Sequence, residues 1–396
     1  MKSFALFSTV TATLLLTNDL TAQGPAFQSP GMNVAGRRSQ VDRFSTDFNP
    51  AFGVALDGFF HFVDGEGDDG SDLELRILEF NTSAYIDPNA WAYVALVSHE
   101  GESPEIEEAV VQYIGFEGNS TVKAGRFFVD FGKQMQTHLE ELRTLERPLV
   151  LREYLGAELG GTGVQFDHWF AAGESPIRFS VGVFSELLGD GHGHEEEEED
   201  EAEAAAPDHK DIDELAFTAR LTGMTDAGDN GTLQFGASAR HVPEFAFTYE
   251  ADEVAGLSNT VYGFDGTYGW ADDTGQRSLV AGFEFMTIDG DLSATVDSGA
   301  GTITAVTNDS ASGYYAFGEY GWNGRDSIGL QYSGAESAED PTLDLDELDI
   351  HYTRNLTEFR RLRFGVVTGT GEDGDFDQLY VQFTNFFGSH AHGLNW

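Results

Sequence analysis

The sequence predicts an all-β protein, a transmembrane antiparallel β-barrel of about sixteen strands, on the basis of three observations. From about residue 50 to residue 387, segments of roughly ten residues alternate apolar with polar side chains, as in Leu379, Val381 and Phe383. The gaps between these segments alternate between short and long. The N-terminus has an apolar stretch typical of exported proteins. Strands with one apolar and one polar face suit a barrel whose apolar face meets lipid.

The N-terminus has the layout of a secretory signal peptide. An apolar stretch follows Lys2, and Ala22 lies in a segment suited to cleavage. We therefore predict a signal peptide over residues 1–23 and a mature arm without periodicity over residues 24–46, followed by the barrel over residues 47–396. No other run approaches the ~20 apolar residues of a spanning helix, which excludes a helical membrane protein.

The composition excludes several classes of function. The 396-residue chain has no cysteine, so neither a disulfide framework nor a thiolate metal site is available. Its formal net charge of −47 repels nucleic acid, which excludes a DNA or RNA partner. The sequence contains no nucleophile elbow, zinc-hydrolase motif or phosphate-cradling loop, and we therefore do not expect an enzyme.

Sixteen segments have the period-two pattern of strands. An even number of strands places both ends of the chain on the periplasmic side of an outer membrane. An additional hairpin within residues 293–307 would raise the number to eighteen. The predicted strands cover residues 50–62, 72–86, 90–99, 105–117, 119–130, 161–172, 176–186, 213–224, 231–241, 259–271, 276–288, 311–322, 325–334, 345–354, 359–369 and 376–387.

The connections between the predicted strands differ with their position. Those after even-numbered strands are short, and Asn323 and Gly324 in one of them favour a type I′ hairpin. Those after odd-numbered strands are longer and acidic, and they include residues 131–160, 187–212 and 242–258. Short periplasmic turns and long external loops are typical of outer-membrane barrels. We therefore predict that the protein lies in the outer membrane of a Gram-negative type cell, surrounded by lipid.

The alternation along each strand predicts which charged side chains line the interior. Because Phe179, Val181 and Val183 are expected to point outward, Arg178 is expected to point inward. An arginine facing lipid at the midplane would cost about 2–4 kcal/mol, which favours the interior position. The predicted pore-wall residues are Arg178, Arg220, Arg240, Glu284, Glu347, Asp349, Arg361 and Arg363.

The region after the fifth predicted strand carries a distinctive block of residues. Residues 125–132 read G-x-F-x-x-x-F-G, the pair Glu-Arg follows at 146–147, and a glycine-containing strand returns over residues 160–164. This block resembles the phosphate-selective porin O and P family over roughly residues 118–166. The remainder of the chain resembles the family only in its strand rhythm.

The resemblance implies a sixteen-stranded homotrimeric porin whose third external loop, residues 131–160, folds into the lumen and narrows it. A charged loop of about thirty residues would otherwise be an unusual structureless excursion. The alternative is that its charged side chains pair with one another and only support the loop. The candidate constriction residues are Lys133, His138, Glu140, Glu141, Arg143, Glu146, Arg147 and Arg152.

A second segment offers candidate metal ligands. His192, His194 and His209 lie beside a run of carboxylates in the external loop predicted over residues 187–212. Imidazoles next to carboxylates can bind zinc or another divalent cation, but a flexible loop would bind it weakly. The same composition is typical of a solvated acidic loop. With its His-containing C-terminus, the chain is also similar to zinc-regulated porins of the cell envelope.

Together these features predict a porin that lets small hydrophilic solutes or ions diffuse passively and that requires no cofactor. Acidic external loops concentrate cations within a Debye length of about 8 Å, so we expect a preference for cations. Three alternatives remain open: a zinc-acquisition porin, a phosphate- or anion-selective porin, and a structural barrel with a closed lumen. Trp396 is a terminal aromatic residue of the kind found in barrel assembly signals, although the predicted strands end before it.

Overall fold

The computed structural model describes residues 50–65, 70–101, 103–190, 211–249, 252–293, 306–338, 343–372 and 374–388. The predicted signal peptide and N-terminal arm lie outside the described residues, as do His192, His194, His209 and Trp396. In the described part of the chain, no helix is long and apolar enough to cross a membrane.

Sixteen strands account for almost all of the described residues. They are β1 (Ala51–Gly65), β2 (Gly70–Asp87), β3 (Ala90–His99), β4 (Glu105–Tyr113), β5 (Ser120–Phe128), β6 (Glu158–Ala172), β7 (Ser175–Asp190), β8 (Ala216–Asp226), β9 (Gly231–Tyr249), β10 (Asp252–Ala271), β11 (Ser278–Ser293), β12 (Val306–Gly321), β13 (Asp326–Glu336), β14 (Asp344–Thr357), β15 (Arg360–Gly371) and β16 (Gly374–Gly388).

These strands form one closed antiparallel barrel in which each strand pairs with its neighbours along the chain. The ring closes between β1 and β16, whose pairing runs from Gly53 opposite Gly388 to Gly65 opposite Phe376. The predicted sixteen-stranded antiparallel barrel is confirmed. The segment 294–305, where the sequence leaves an additional hairpin open, lies outside the described residues.

The strands have an exposed apolar face and a buried polar face. In β13, Ile328, Leu330 and Tyr332 are exposed, whereas Gln331 and Ser333 are buried. Apolar side chains on an outer surface are unfavourable in water and favourable in lipid. The apolar face is therefore the outside of the barrel, and the buried polar face is its inside.

Several strands are longer than the sequence pattern predicts. Most of the external loop predicted over residues 242–258 is instead strand, because β9 continues to Tyr249 and β10 begins at Asp252. The aromatic residues Phe245 and Phe247 alternate with shorter residues in this stretch. Aromatic residues have a high propensity for strands, which favours a strand over a loop in this stretch.

The connection between β12 and β13 is not the predicted type I′ turn. A type I′ turn needs positive φ at both central residues, and of this pair only Gly324 has one, +72°. The Asn323 side chain instead accepts hydrogen bonds from the backbone N–H groups of Arg325 and Asp326, at 2.9 and 2.8 Å. Local side-chain capping therefore determines this turn.

Two of the register shifts between strands bring consecutive charged or apolar side chains to the inner face. In β2 the pairing with β1 shifts next to Gly58, and the consecutive residues Arg76 and Ile77 are both buried. In β4 the pairing with β3 shifts at Glu107, and the consecutive residues Glu107 and Glu108 are both buried. A bulge inserts an extra residue and redirects side chains. The two bulges thus add charged groups to the inner face.

Candidate pore constriction

Residues 129–157, here termed the inserted segment, connect β5 and β6 and contain no strand, although the Val129 N–H at their start donates to the Leu159 carbonyl of β6 at 3.0 Å. The inserted segment contains a 3₁₀ turn, Leu139–Glu141, and a short helix, α1 (Leu149–Leu155). The helix α1 begins after Pro148 and ends at Gly156, where φ is +79° and the N–H donates to the Arg152 carbonyl at 3.1 Å. Proline before the first turn and glycine after the last are the usual boundaries of a helix.

Apolar side chains fasten the inserted segment to the inner face of the barrel. Phe131, Met135 and Val150 belong to one buried cluster with Met286 of β11 and Tyr315 of β12. Burying a side chain of this size stabilises by about 1.5–3 kcal/mol. Apolar packing is therefore one of the main contributions that hold the segment in position.

The start of the inserted segment lies against β9 and β11. The N–H of Gly132 donates to Ser238 Oγ at 3.1 Å, and the N–H of Lys133 donates to Glu284 Oε2 at 3.1 Å. Gly132 has φ +56°, and a Cβ atom there would overlap the Glu284 carboxylate. Tyr315 holds that carboxylate through its hydroxyl, which donates to Oε2 at 2.8 Å. Glycine is thus needed both for the backbone conformation and for the close approach.

Lys133 is the first candidate constriction residue along the inserted segment. Its ammonium group donates to Gln234 Oε1 at 2.6 Å. Burial lowers the pKa of Lys133 to about 7, even though the charge of Asp265 acts in the opposite direction. This side chain therefore changes its charge near neutral pH.

Two arginines of β15 hold the middle of the inserted segment through its backbone. Arg363 donates to the carbonyl oxygens of Leu142 and Thr144 at 2.7 and 2.6 Å. Arg361 donates to the carbonyl of Glu140 and, at 3.4 Å, to that of Leu142. In the structure, their charges are directed at backbone dipoles.

Arg76 of β2 connects the wall with residues 139–146 of the inserted segment. Its guanidinium pairs with Asp57 Oδ2 at 2.7 Å and with Glu146 Oε1 at 3.0 Å. The same group donates to the carbonyl oxygens of Leu139 and Leu145 at 3.3 and 2.5 Å. Bonds from a charged donor are about twice as strong as neutral ones. Arg76 is therefore a central anchor of the segment.

The three arginines of the inserted segment itself have separate acidic partners. Arg143 lies 3.6 Å from Glu319 and Arg147 lies 3.5 Å from Glu158, and burial lowers the pKa of both arginines. Arg152 pairs with Glu347. Burial alone would lower the pKa of Arg152. The charges of Glu347 and Glu146 raise it by more, so the pKa of Arg152 lies above its usual value.

The exposure of these arginines differs. Arg147 is fully buried, whereas the Arg152 side chain is 31% exposed and the Arg143 side chain 14% exposed. Glu146 is 40% exposed, and Glu141 is partly exposed on the 3₁₀ turn. Glu140 is buried. Glu141, Glu146 and Arg152 are accordingly the candidate constriction residues best placed to meet a solute.

His138 is surrounded by carboxylates of β2 and β4. Its Nδ1 atom lies 3.0 Å from Glu107 and 3.5 Å from Glu79, and its Nε2 atom lies 3.1 Å from Glu108. Only 1% of the residue is exposed. Burial lowers the pKa of His138, but the neighbouring Glu107, Glu108 and Glu79 raise it well above the usual value. This cluster joins the segment to the wall.

The wall residues of β7 and β8 converge on Asp130, which precedes the first candidate constriction residue. Arg178 pairs with Asp130 at 2.7 Å and with Asp167 at 2.6 Å. Arg220 pairs with Asp265 at 2.7 Å and lies 3.6 Å from Asp130. Burial raises the pKa of Asp130, but Arg178 and Arg220 lower it below its usual value. These two wall arginines are thus neutralised by carboxylates.

The remaining predicted wall residues are also buried. Arg240 donates to Asn259 Oδ1 at 2.8 Å. Asp349 accepts hydrogen bonds from Tyr380 Oη at 2.9 Å and, at 3.5 Å, from the Leu145 N–H. Glu347 contacts the inserted segment through Arg152, as described above. Seven of the eight predicted wall residues thus contact the inserted segment, and Arg240 is bound to a neighbouring strand.

Sequence reasoning missed several charged groups of this interior. Asp57 and Glu79 alternate with apolar neighbours, so the rule applied to Arg178 would have found them. Arg76 and Glu107 lie at bulges, where strict alternation fails. No periodic signal marks those two positions.

A family profile and several solved barrel structures are similar to this chain. The profile of the family phosphate-selective porin O and P matches residues 52–328. OprB of Pseudomonas putida has a TM-score of 0.58 at 8% identity, covering 91% of this chain and 99% of that one. An anion-selective porin from Comamonas acidovorans has a TM-score of 0.55 at 11% identity, with 86% and 99% covered. A loop-deletion mutant of OmpT from Vibrio cholerae has a TM-score of 0.54 at 10% identity, again with 86% and 99% covered. No curated protein matches this chain.

A closed barrel with an apolar outside and a polar, charged inside defines the class of outer-membrane porins. The three solved structures have low sequence identity to this chain, so their similarity supports the fold alone. The family match covers well over half of the chain. The chain belongs to the phosphate-selective porin O and P family, and it is a porin of the outer-membrane type.

Proposed function

We propose that the protein lets small hydrophilic solutes and ions diffuse across the outer membrane, with a preference for cations. The observation that carries this proposal is the use of the wall arginines. Arg178 and Arg220 pair with carboxylates, and Arg361 and Arg363 donate to carbonyl oxygens. Their charges are therefore occupied within the protein, and a passing anion would have to compete for them.

The balance of buried charges supports the same preference. Among the described residues, fourteen carboxylate side chains are buried, against eight side chains of lysine and arginine. The side chain of Glu146 is 40% exposed on the inserted segment, which adds an accessible negative charge. Rings of acidic side chains favour cations in a pore.

The reversal potential in a planar bilayer under a KCl gradient tests this proposal. A conductance with a reversal potential toward that of potassium supports a cation-preferring porin. A reversal potential toward that of chloride contradicts the cation preference. Folded protein that gives no conductance contradicts the channel and favours a structural barrel with a closed lumen.

Phosphate or another anion is the second candidate solute. Arg143 and Arg152 of the inserted segment are partly exposed, and the family name denotes phosphate selectivity. Arginine suits phosphate because its planar donors match the oxygen atoms. If millimolar phosphate reduces the chloride current by about half, and Arg152→Gln abolishes this block, the result would favour phosphate as a solute. An equal current with and without phosphate would exclude it.

Zinc acquisition is a further candidate function. In this case the external loop would capture zinc, and zinc would be the transported solute. His192, His194 and His209 with the neighbouring carboxylates supply the ligand types. Zinc should then protect residues 187–212 from protease in the folded protein. The same cleavage rate with and without zinc would remove this candidate.

We also propose that the protein is a homotrimer in the outer membrane, as the resemblance to the porin family implies. Mass measurement of the detergent-solubilised, unheated protein tests this arrangement. Three chains per particle are expected, and a single chain would contradict it.

A further inference from the structure

A buried cluster between the inserted segment and the wall has the composition of a metal site. Nδ1 of His138 lies 3.0 Å from Glu107 Oε2 and 3.5 Å from Glu79 Oε2. One ligand atom from each of these three residues lies within 4.8 Å of the other two. All three residues are buried, with Glu79 fully so. They come from the inserted segment, β4 and β2.

The separations fit ligands that share one cation. Zinc binds imidazole nitrogen and carboxylate oxygen at about 2.0–2.2 Å in a tetrahedral arrangement, which places neighbouring ligand atoms roughly 3.3–3.5 Å apart. The distance from His138 to Glu79, 3.5 Å, lies in this range, and the distance to Glu107, 3.0 Å, lies below it and would lengthen around a bound ion. One imidazole and two carboxylates also suit several divalent first-row metals.

The surroundings orient the three ligands. Nε2 of His138 lies 3.1 Å from Glu108 Oε2, the outer partner that commonly fixes a metal-binding imidazole. Tyr93 donates to the other oxygen of Glu108 at 2.9 Å. Asn81 donates to Glu79 Oε1 at 2.8 Å, which leaves Oε2 as the atom that faces His138.

Glu107 supplies an independent observation. Its side chain is only 4% exposed, and its Oε2 atom faces His138 Nδ1 at 3.0 Å, a separation that either a proton on the imidazole or a shared cation would satisfy. A buried carboxylate oxygen in this position needs a cation or a proton donor. The bulge in β4 is what turns Glu107 inward beside Glu108. Bulges often redirect side chains at functional sites.

We propose that His138, Glu79 and Glu107 bind a divalent transition-metal cation such as Zn²⁺, which fastens the inserted segment to β2 and β4. Water or a further protein group completes the coordination. The site is buried and uses none of the histidines of the external loop. Its metal is a structural component of the barrel, and this role does not depend on which solute the channel conducts.

Zinc content tests this site in the full-length protein. The protein is saturated with ZnCl₂ and dialysed against a weak chelator, and zinc per chain is measured by mass spectrometry. We expect one retained zinc in a variant in which His192, His194 and His209 are all replaced by Asn. In that background, Glu107→Gln should weaken zinc binding by more than about tenfold. Glu105→Gln, an exposed acid on the same strand, should leave it unchanged.

Two results would overturn the proposal. The first is the absence of retained zinc in the triple Asn variant, because a proton on His138 would then account for the cluster. The second is equal zinc affinity in the Glu107→Gln and Glu105→Gln variants. If Glu107→Gln does not fold, X-ray absorption of zinc in the triple Asn variant decides. It should show a single imidazole with oxygen ligands at about 2.0–2.2 Å, and any other histidine number contradicts the site.

Discussion

At the scale of single residues, the burial of Lys133 is expected to make the ion selectivity of the channel dependent on pH. Its pKa of about 7 lies below the ordinary value of 10.5, so the ammonium loses its proton in the neutral range. We expect the permeability ratio of potassium to chloride to rise from pH 6 to pH 8, because a positive charge disappears. Reversal potentials at the two pH values measure this change, and Lys133→Gln should abolish it. A rise of the same size in that variant would show that another group is responsible.

The same residue affects stability in a definite direction. Between about pH 7 and 10.5 the unfolded chain binds a proton at Lys133 that the folded chain does not. Stability should therefore rise with pH over this window, and below pH 7 the full cost of the buried charge is present. Lys133→Met should remove part of this slope in urea unfolding at pH 7 and pH 9. An unchanged slope would mean that the segment opens before Lys133 titrates.

Gly132 is a second residue whose replacement has a defined result. Its φ of +56° and the position of the Glu284 carboxylate leave no room for a methyl group. Gly132→Ala should destabilise the docked segment by about 1–3 kcal/mol, the usual cost of local backbone strain. Protease cleavage within residues 129–157 should then become faster. The φ of Gly101 is also positive, but a Cβ atom there has open space, so Gly101→Ala is a matched control for the overlap.

At the scale of elements, the arginine pair of β15 is expected to determine how firmly the inserted segment is held. Each hydrogen bond from a charged donor contributes about 1.5–3 kcal/mol, and its loss leaves buried carbonyl oxygens without that donor. Replacing both Arg361 and Arg363 by Ala should increase single-channel noise and change the ion selectivity. Arg360→Ala, an exposed position of the same strand, is the control. Identical recordings for the two proteins would mean that apolar packing alone holds the segment.

The inserted segment as a unit offers a more drastic test. None of the sixteen strands pairs with it, so the barrel should close without it. Replacing residues 133–156 by a short Gly-Ser linker should raise the single-channel conductance severalfold, if the segment narrows the lumen. A conductance equal to that of the intact protein would place the narrowest point elsewhere.

The elements also show how far the sequence determines the structure. Sixteen strands were predictable because lipid outside and polar groups inside impose a strict alternation, as in β13. The path of residues 129–157 was not predictable, because it depends on contacts with distant strands, such as Lys133 with Glu284. Arg76 and Glu107 escaped detection for a local reason. A bulge breaks the alternation from which their direction would be inferred.

At the scale of the whole molecule, the net charge of −47 makes selectivity dependent on salt. The Debye length falls from about 10 Å at 0.1 M to about 3 Å at 1 M, so distant carboxylates lose their influence at high salt. The potassium-to-chloride permeability ratio should therefore decrease as both KCl concentrations are raised at a fixed gradient. A ratio that stays constant would assign the selectivity to charges in direct contact with the ion.

The pairing of β1 with β16 also governs the order of assembly. The strand made first has its second neighbour in the strand made last, more than three hundred residues away. Until β16 arrives, β1 exposes an open edge, which is prone to join other chains. A chain that lacks β16 therefore has no partner strand to close the barrel at β1. Contacts between such distant parts of a chain also slow folding. The pairing of β16 with β1 is thus the last step in closing the barrel.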